Sequence, residues 1–252
     1  MKQRQLEGKV IWITGALGML GQSAVTLFLE RGAKVAATDL LPLEGCPELK
    51  QTAESYGADS FLFMQSDACS ENEVQEAITR IEAHFGRLDG VYHNCYTHVR
   101  KPALELALDE WEATIRGTLT STFLVNKYSL PLMIRSGGGS IVNTSSILGH
   151  LPQKTCLAYG AAKAGVSQMT RVIAVDYAKD GIRANALVPG DFNTEQAWQA
   201  MPEVTRQFIR DNTLLRRTGR PEEINEVGAF LLSDAASYVT GSLYTVDGGY
   251  RI

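Results

Sequence analysis

The sequence predicts a doubly wound α/β fold: a parallel sheet of about seven strands, helices on both faces, and all 252 residues in one domain. Three observations predict it. Short apolar runs recur along the chain, segments of helical period lie between them, and a glycine-rich turn directly follows the first run. A strand covered on both faces needs no polar alternation, so a brief continuous apolar run reads as a buried parallel strand.

The first strand is expected at 10–14, VIWIT, and passes through Thr14, Gly15, Ala16, Leu17, Gly18, Met19, Leu20 and Gly21 into a helix carrying Ala24, Leu27 and Phe28. Further strands are expected at 34–39, 61–65, 90–94, 140–144, 183–188 and 243–246. Between them lie helix starts. Ser70 and Glu73 read as a capping box, in which each side chain satisfies an open amide near the other. Asp109 is expected to cap a helix holding Trp111, Ile115, Leu119 and Thr122. Pro221 suits a first helical turn before Ile224, Val227, Gly228 and Leu231. The triple glycine at 137–139 reads as a turn before a strand. Right-handed crossovers bring the carboxyl ends of parallel strands to one edge, where a ligand is expected.

Composition narrows the function. Lys and Arg number 24 against 28 Asp and Glu, a net charge of −4, which disfavours a nucleic-acid binder that must displace counterions with surplus cations. The polar opening and the short apolar run at 10–13 predict neither a signal peptide nor a membrane span, so a cytoplasmic protein is expected. Cys46, Cys69, Cys95 and Cys156 stand far apart without a CxxC, as suits reduced thiols. His93, Cys95 and His98 do not match known zinc-finger spacing, and no metal is expected.

The glycine turn carries chemistry. Glycines let the backbone approach a pyrophosphate, whose charge meets open amides and the positive end of the helix dipole. A tight turn alone would use the same residues, but Asp39 stands 24 residues beyond Gly15 at the end of the second strand. There a carboxylate can accept hydrogen bonds from the adenosine ribose. A 2′-phosphate beside it would be repelled by up to about 4 kcal/mol at contact with an effective dielectric of about 20. Neither Ala16 nor Leu40 offers a compensating cation, so the predicted cofactor is NAD.

Tyr159 and Lys163 lie at i and i+4 of a predicted helix and share one face. A phenol has a pKa near 10, and each unit of depression by an ammonium corresponds to about 1.4 kcal/mol. A depression of about three units would let Tyr159 exchange a proton with a substrate hydroxyl. Ser146, thirteen residues earlier and just past a strand, can hold the reacting oxygen.

Together, TGALGMLG, Asp39, Asp67, Asn94, Ser146, the YGAAK of Tyr159–Lys163, and the segment NALVPGDFNT that contains Pro189, Gly190, Phe192 and Thr194 resemble the short-chain dehydrogenase/reductase family, from about Leu6 to Tyr250. The resemblance implies a Rossmann-type fold, an NAD(P)-dependent oxidoreductase acting on an alcohol or ketone, and a homotetramer. It implies that Tyr159 is the acid/base, that Lys163 lowers its pKa and binds the nicotinamide ribose, and that Ser146 orients the substrate oxygen. It places Asp67 and Ala68 at the adenine and Asn94, with Cys95, near the adenosine and its ribose. Pro189, Gly190, Phe192 and Thr194 would wrap the nicotinamide end.

Several residues depart from the family pattern. Met19 occupies the place of the middle glycine of TGxxxGxG, and Gly18 stands one position earlier. This spacing resembles that of the longer sugar-nucleotide-modifying branch, whose additional substrate region finds little chain here. Tyr96 replaces the glycine of NNAG and either shapes the substrate entrance or packs under the next loop. Thr118 aligns with the catalytic Asn that holds a relay water; Asn126, about 12 Å along the helix, cannot stand in. A threonine hydroxyl is expected to keep the relay in altered form. A lid is expected around 191–215, with Phe192, Trp198, Met201 and Phe208 either closing over an apolar substrate or packing onto the core. His150 lines the cleft or sits in a solvated turn, and Arg100 and Lys101 read as surface charges rather than anion clamps. The expected activity is NAD-dependent oxidation of a secondary alcohol, cyclic or otherwise hydrophobic, or the reverse. Two alternatives stay open: a non-catalytic dinucleotide-binding regulator, and an epimerase or dehydratase using transient hydride transfer.

Overall fold

Seven strands form one parallel sheet in the order β3-β2-β1-β4-β5-β6-β7: β1 (Val10–Thr14), β2 (Lys34–Asp39), β3 (Phe61–Gln65), β4 (Gly90–His93), β5 (Gly139–Thr144), β6 (Ile182–Pro189) and β7 (Leu243–Val246). The structure is a computed structural model and describes residues 4–251. Four of the seven strands have the bounds their apolar runs predict; β4 stops at His93, β5 begins one residue earlier, and β6 is one residue longer at each end.

Alternate strand residues serve two cores. Ile11, Ile13, Val35 and Ala37 face α1 (Met19–Glu30), α2 (Pro47–Tyr56) and α9 (Pro221–Leu232). Val10, Trp12, Ala36 and Val91 face α3 (Glu71–Phe85), α5 (Ser121–Arg135) and α6 (Leu157–Tyr177). Burial on both faces removes any place for a polar alternation, which is why the strands read as unbroken apolar runs. A buried polar chain locks α9 to the entrance of α1. The Tyr92 hydroxyl donates to Asn225 Oδ1 at 2.7 Å, and Asn225 Nδ2 donates to the Leu20 carbonyl at 3.0 Å.

Two helix starts differ from the sequence reading. Helix α4 (Leu108–Ile115) begins at Ala107, whose N–H donates to the Glu110 carboxylate at 3.0 Å, so Asp109 lies inside the first turn rather than capping it. At α3, Ser70 Oγ accepts from the Glu73 N–H at 3.5 Å, but the Glu73 carboxylate turns to the N–H of Asp67 instead of completing the box. Between α4 and α5 the helix widens into a π turn over Arg116–Thr120. Gly137 and Gly138 take φ of 97° and 104° ahead of β5, the left-handed region that suits glycine, as a turn requires. The lid region carries α7 (Glu195–Ala200) and α8 (Glu203–Asn212).

Candidate active site

The sheet order reverses between β1 and β4, and the carboxyl ends there open into a cleft of about 380 Å³ lined by the glycine turn, Asn94, Ser146, Tyr159, Lys163 and Pro189–Asn193. Gly15 takes a φ of +64°, and a Cβ on it would stand 3.3 Å from the backbone of Asn94 and Cys95. At Gly21 a Cβ would lie 2.1 Å from the Gly15 carbonyl oxygen, so only glycine lets α1 start this close to the turn. Gly18 precedes the helix without a capping side chain, which leaves the N–H groups of Met19, Leu20 and Gly21 without intrahelical acceptors. Open amides at a helix N-terminus, bared by glycine and facing a cleft, fit the pyrophosphate of a dinucleotide. Met19 is 40 % exposed and lines the cleft rather than filling the turn.

Asp39 braces this cradle. Its Oδ2 accepts from the Leu17 N–H at 2.8 Å and its Oδ1 from the Leu41 N–H at 3.0 Å, which leaves lone pairs on both oxygens. Beside it Leu40 is 63 % exposed and supplies no cation. Asp67 and Ala68 follow β3 on the same edge, where Asp67 Oδ1 accepts from the Cys69 N–H; neither they nor Asp39, Leu40 and Cys95 line the catalytic cleft itself. Asn94 does, with its Oδ1 accepting from the Thr144 hydroxyl at 2.6 Å. Burial pushes the Cys95 thiol up to about 12, so it is no nucleophile at neutral pH.

Ser146 and Tyr159 reach the cleft from the end of β5 and the first turn of α6. Ser146 Oγ accepts from the Leu148 N–H at 3.1 Å, fixing its rotamer. Lys163 is buried, and its Nζ donates to the Thr144 carbonyl at 2.6 Å while standing 5.7 Å from the Tyr159 ring centroid. Burial brings the Lys163 ammonium down to about 7. Burial also raises the Tyr159 phenol to about 12, against the pull of the Ser146 hydroxyl. The expected depression by Lys163 is therefore not seen in this arrangement: a buried amine turned to a carbonyl does not offset the loss of water around the phenol.

The loop after β4 folds over Tyr159. His98 stacks on its ring with centroids 4.2 Å apart and an interplanar angle of 18°, and Tyr96 meets it edge-on at 5.8 Å. Thr118 fastens this loop. Its hydroxyl donates to the Thr97 carbonyl at 3.1 Å and accepts from the Thr97 N–H at 3.0 Å. Gly117 makes the contact possible, because a Cβ there would lie 2.0 Å from Thr97 Oγ1. The Thr118 donor is thus taken by protein backbone, and the expectation of a water-holding relay residue gives way to a loop clip. Nothing local in the sequence signals this pairing of positions 97 and 118.

Other expected residues lie apart. His150 is exposed and its Nε2 meets Ser167 Oγ at 3.2 Å, away from the cleft. Thr194 caps α7 by accepting from the Ala197 N–H at 3.1 Å. Trp198 sits with it in a separate shallow groove, Arg210 5.8 Å from its ring. Of the four apolar lid residues only Phe192 lines the cleft. The cleft does include Arg100, which the sequence reading left as a surface charge; Lys101 instead pairs with Glu110.

Residues 15–251 match the family described as "Enoyl-(Acyl carrier protein) reductase". The chain belongs to the short-chain dehydrogenase/reductase family. It is 38% identical over 243 residues to cis-4-hydroxycyclohexanecarboxylate dehydrogenase of Sinomonas cyclohexanicum, covering 96% of each chain. It is 34% identical to 2,5-dichloro-2,5-cyclohexadiene-1,4-diol dehydrogenase of Sphingobium indicum, covering 97% of this chain and 98% of that one. A solved structure described as a putative gluconate dehydrogenase from Agrobacterium tumefaciens superposes with a TM-score of 0.90 at 30% identity, covering 98% of this chain and 97% of that one. Short-chain dehydrogenases use a nicotinamide dinucleotide, and the bared helix terminus and glycine turn fit one.

Proposed function

We propose that this protein is an NAD-dependent dehydrogenase of a secondary alcohol, cyclic or otherwise hydrophobic, able to run in the reverse direction as a carbonyl reductase. The observation that carries the reading is the convergence of Ser146, Tyr159 and Lys163 with the glycine turn in one cleft. Similarity to two dehydrogenases named for substituted cyclohexane and cyclohexadiene alcohols supports a ring-bearing substrate. Asp39 supports NAD over NADP, since its carboxylate would repel a 2′-phosphate and the adjoining Leu40 brings no cation to offset it.

The bound dinucleotide supplies the hydride acceptor in oxidation and the donor in reduction. The protein holds the reacting oxygen between the Ser146 and Tyr159 hydroxyls and moves its proton through Tyr159 Oη. Lys163 anchors α6 to β5 through the Thr144 carbonyl and keeps its amine within reach of the phenol. Because burial holds that phenol protonated, oxidation requires that the incoming substrate or cofactor favour the phenolate, whereas reduction finds the proton already in place. Phe192 and Tyr96 give the mouth of the cleft its apolar surface. The family resemblance supports a homotetramer; among the described residues no helix is long and apolar enough to cross a membrane.

The test is an absorbance screen of cyclic secondary alcohols with NAD and NADP in parallel. NAD reduction by at least one cyclic alcohol is expected. Preference for NADP would overturn the Asp39 argument, and tight NADH binding with no turnover across the panel would make the protein a dinucleotide-binding regulator.

A further inference from the structure

We infer that Arg100 is the specificity-determining residue of the cleft, binding a carboxylate that the alcohol substrate carries at the end remote from its reacting carbinol. The inference rests on the dehydrogenase reading of the same cleft and extends it to the chemical class of the substrate, a hydroxy acid.

Three features lead to it. The first is placement. Arg100 lines the cleft together with Tyr96, His98 and Tyr159, and its charge acts on both the Tyr159 phenol and the His98 ring. The backbone beside it is fixed, because Lys101 bridges to Cys156 at the start of α6, three residues before Tyr159. The backbone that carries Arg100 is therefore tied to the start of α6, beside the acid/base, while its exposed side chain is left free to meet a ligand.

The second feature is availability. Among the described residues Arg100 makes no ion pair or hydrogen bond, whereas its neighbour Lys101 is spoken for by Glu110. The acid on the opposite wall is also engaged: Asp191 Oδ2 accepts from Asn193 Nδ2 at 3.0 Å and from the Thr218 hydroxyl at 2.8 Å. Lys163 lies buried at the reacting end and is bonded to Thr144. An unpaired planar cation lining the cleft matches the two oxygens of a carboxylate.

The third is an unfilled polar atom next to it. His98 Nε2 is buried and has no hydrogen-bond partner, although its ring is stacked on Tyr159. A carboxylate docked on Arg100 completes a site in which one end of the ligand meets Ser146 and Tyr159 and the other meets Arg100, on a loop whose His98 is itself left with an unpaired polar atom. A neutral alcohol leaves Arg100 unanswered.

The experiment compares 4-hydroxycyclohexanecarboxylate with its methyl ester as substrates of the full-length protein with NAD, in the wild type, Arg100→Gln and Arg100→Lys. The acid is expected to exceed the ester in kcat/KM by at least about tenfold. Arg100→Gln is expected to raise KM for the acid about 10- to 100-fold more than for the ester, the range of a lost hydrogen bond to a charged group, while any change that the lost charge makes at Tyr159 falls on both substrates alike and cancels in their ratio. Arg100→Lys should recover part of the preference. Equal use of acid and ester by the wild type, or an equal loss on both in Arg100→Gln, would overturn the inference. A parallel calorimetric titration uses cyclohexanecarboxylate and cyclohexanecarboxamide, neither of which carries a carbinol, against the NADH-loaded protein. Arg100-dependent binding of the acid without turnover of any alcohol would sustain the anion site and refute the dehydrogenase reading. Turnover of neutral alcohols with no Arg100-dependent preference would do the reverse.

Discussion

Replacing Thr118 by Val keeps the shape of a fully buried side chain and deletes one hydroxyl, which makes it a clean probe of the loop clip. Two hydrogen bonds vanish, one to the Thr97 carbonyl and one from its N–H. Each contributes about 1 kcal/mol net, and leaving a partly buried backbone group unanswered costs about 1–3 kcal/mol. The expected destabilisation is therefore about 2–4 kcal/mol if the loop stays closed, and less if it opens and water takes over. For a chain of this size that range corresponds to a fall in Tm on the order of 10 °C. The same opening releases His98 and Tyr96 from the Tyr159 ring, so KM should rise, and as water reaches the phenol its pKa should fall and the pH profile of kcat should move to lower pH. Thr118→Ser, which retains the hydroxyl, should behave as wild type. Urea unfolding and steady-state kinetics on the three proteins check this. A Thr118→Val variant with wild-type stability and KM but a lowered kcat would refute the clip and restore the water-relay role.

Two further outcomes follow from charges. Asp39→Asn should narrow the preference for NAD over NADP by about fivefold or more, since repulsion between Asp39 and a 2′-phosphate lies between about 1 and 4 kcal/mol; dissociation constants for the two dinucleotides measure it. His93 is buried with its ring nitrogens facing Thr14 and Ser121, and burial holds its pKa down to about 3. Between the ordinary histidine value and that pKa the unfolded chain binds a proton that the folded chain refuses, so stability should fall as pH falls through this window, by at most about 1.4 kcal/mol per pH unit. Denaturant midpoints between pH 7 and 4 should show a shallower slope in His93→Asn than in the wild type, whatever the variant's absolute stability.

Much of the fold was legible because its signals are local. Val10–Thr14 and Phe61–Gln65 are buried runs bounded by turn residues, and Pro221 can sit only at the beginning of α9 without breaking it. The glycine turn was legible for the same reason, since Gly15 and Gly21 answer to backbone sterics a few residues away. Ser146, Tyr159 and Lys163 were found through helical spacing and the family's motif. What escaped depends on contacts between distant segments. Arg100 read as a surface charge because nothing in its own neighbourhood shows that loop 95–101 folds back over α6. Thr118 read as a relay residue because its partner, Thr97, lies on another element. Trp198 and Thr194 looked like lid and cofactor residues, but Thr194 is consumed as a helix cap and carries Trp198 to the outer groove. The raised Tyr159 pKa reflects how thoroughly His98 and Tyr96 cover the phenol, which spacing along one helix does not reveal.

The central claim, that the phenol of Tyr159 carries the proton in a dinucleotide-linked oxidation, is tested most directly by Tyr159→Phe, assayed with whichever cyclic alcohol the wild type turns over. Loss of a positioned acid/base should lower kcat by about 10²- to 10⁴-fold, while the dissociation constant for NADH, measured by fluorescence titration, stays within about threefold. A Tyr159→Phe protein that keeps its kcat would contradict the account.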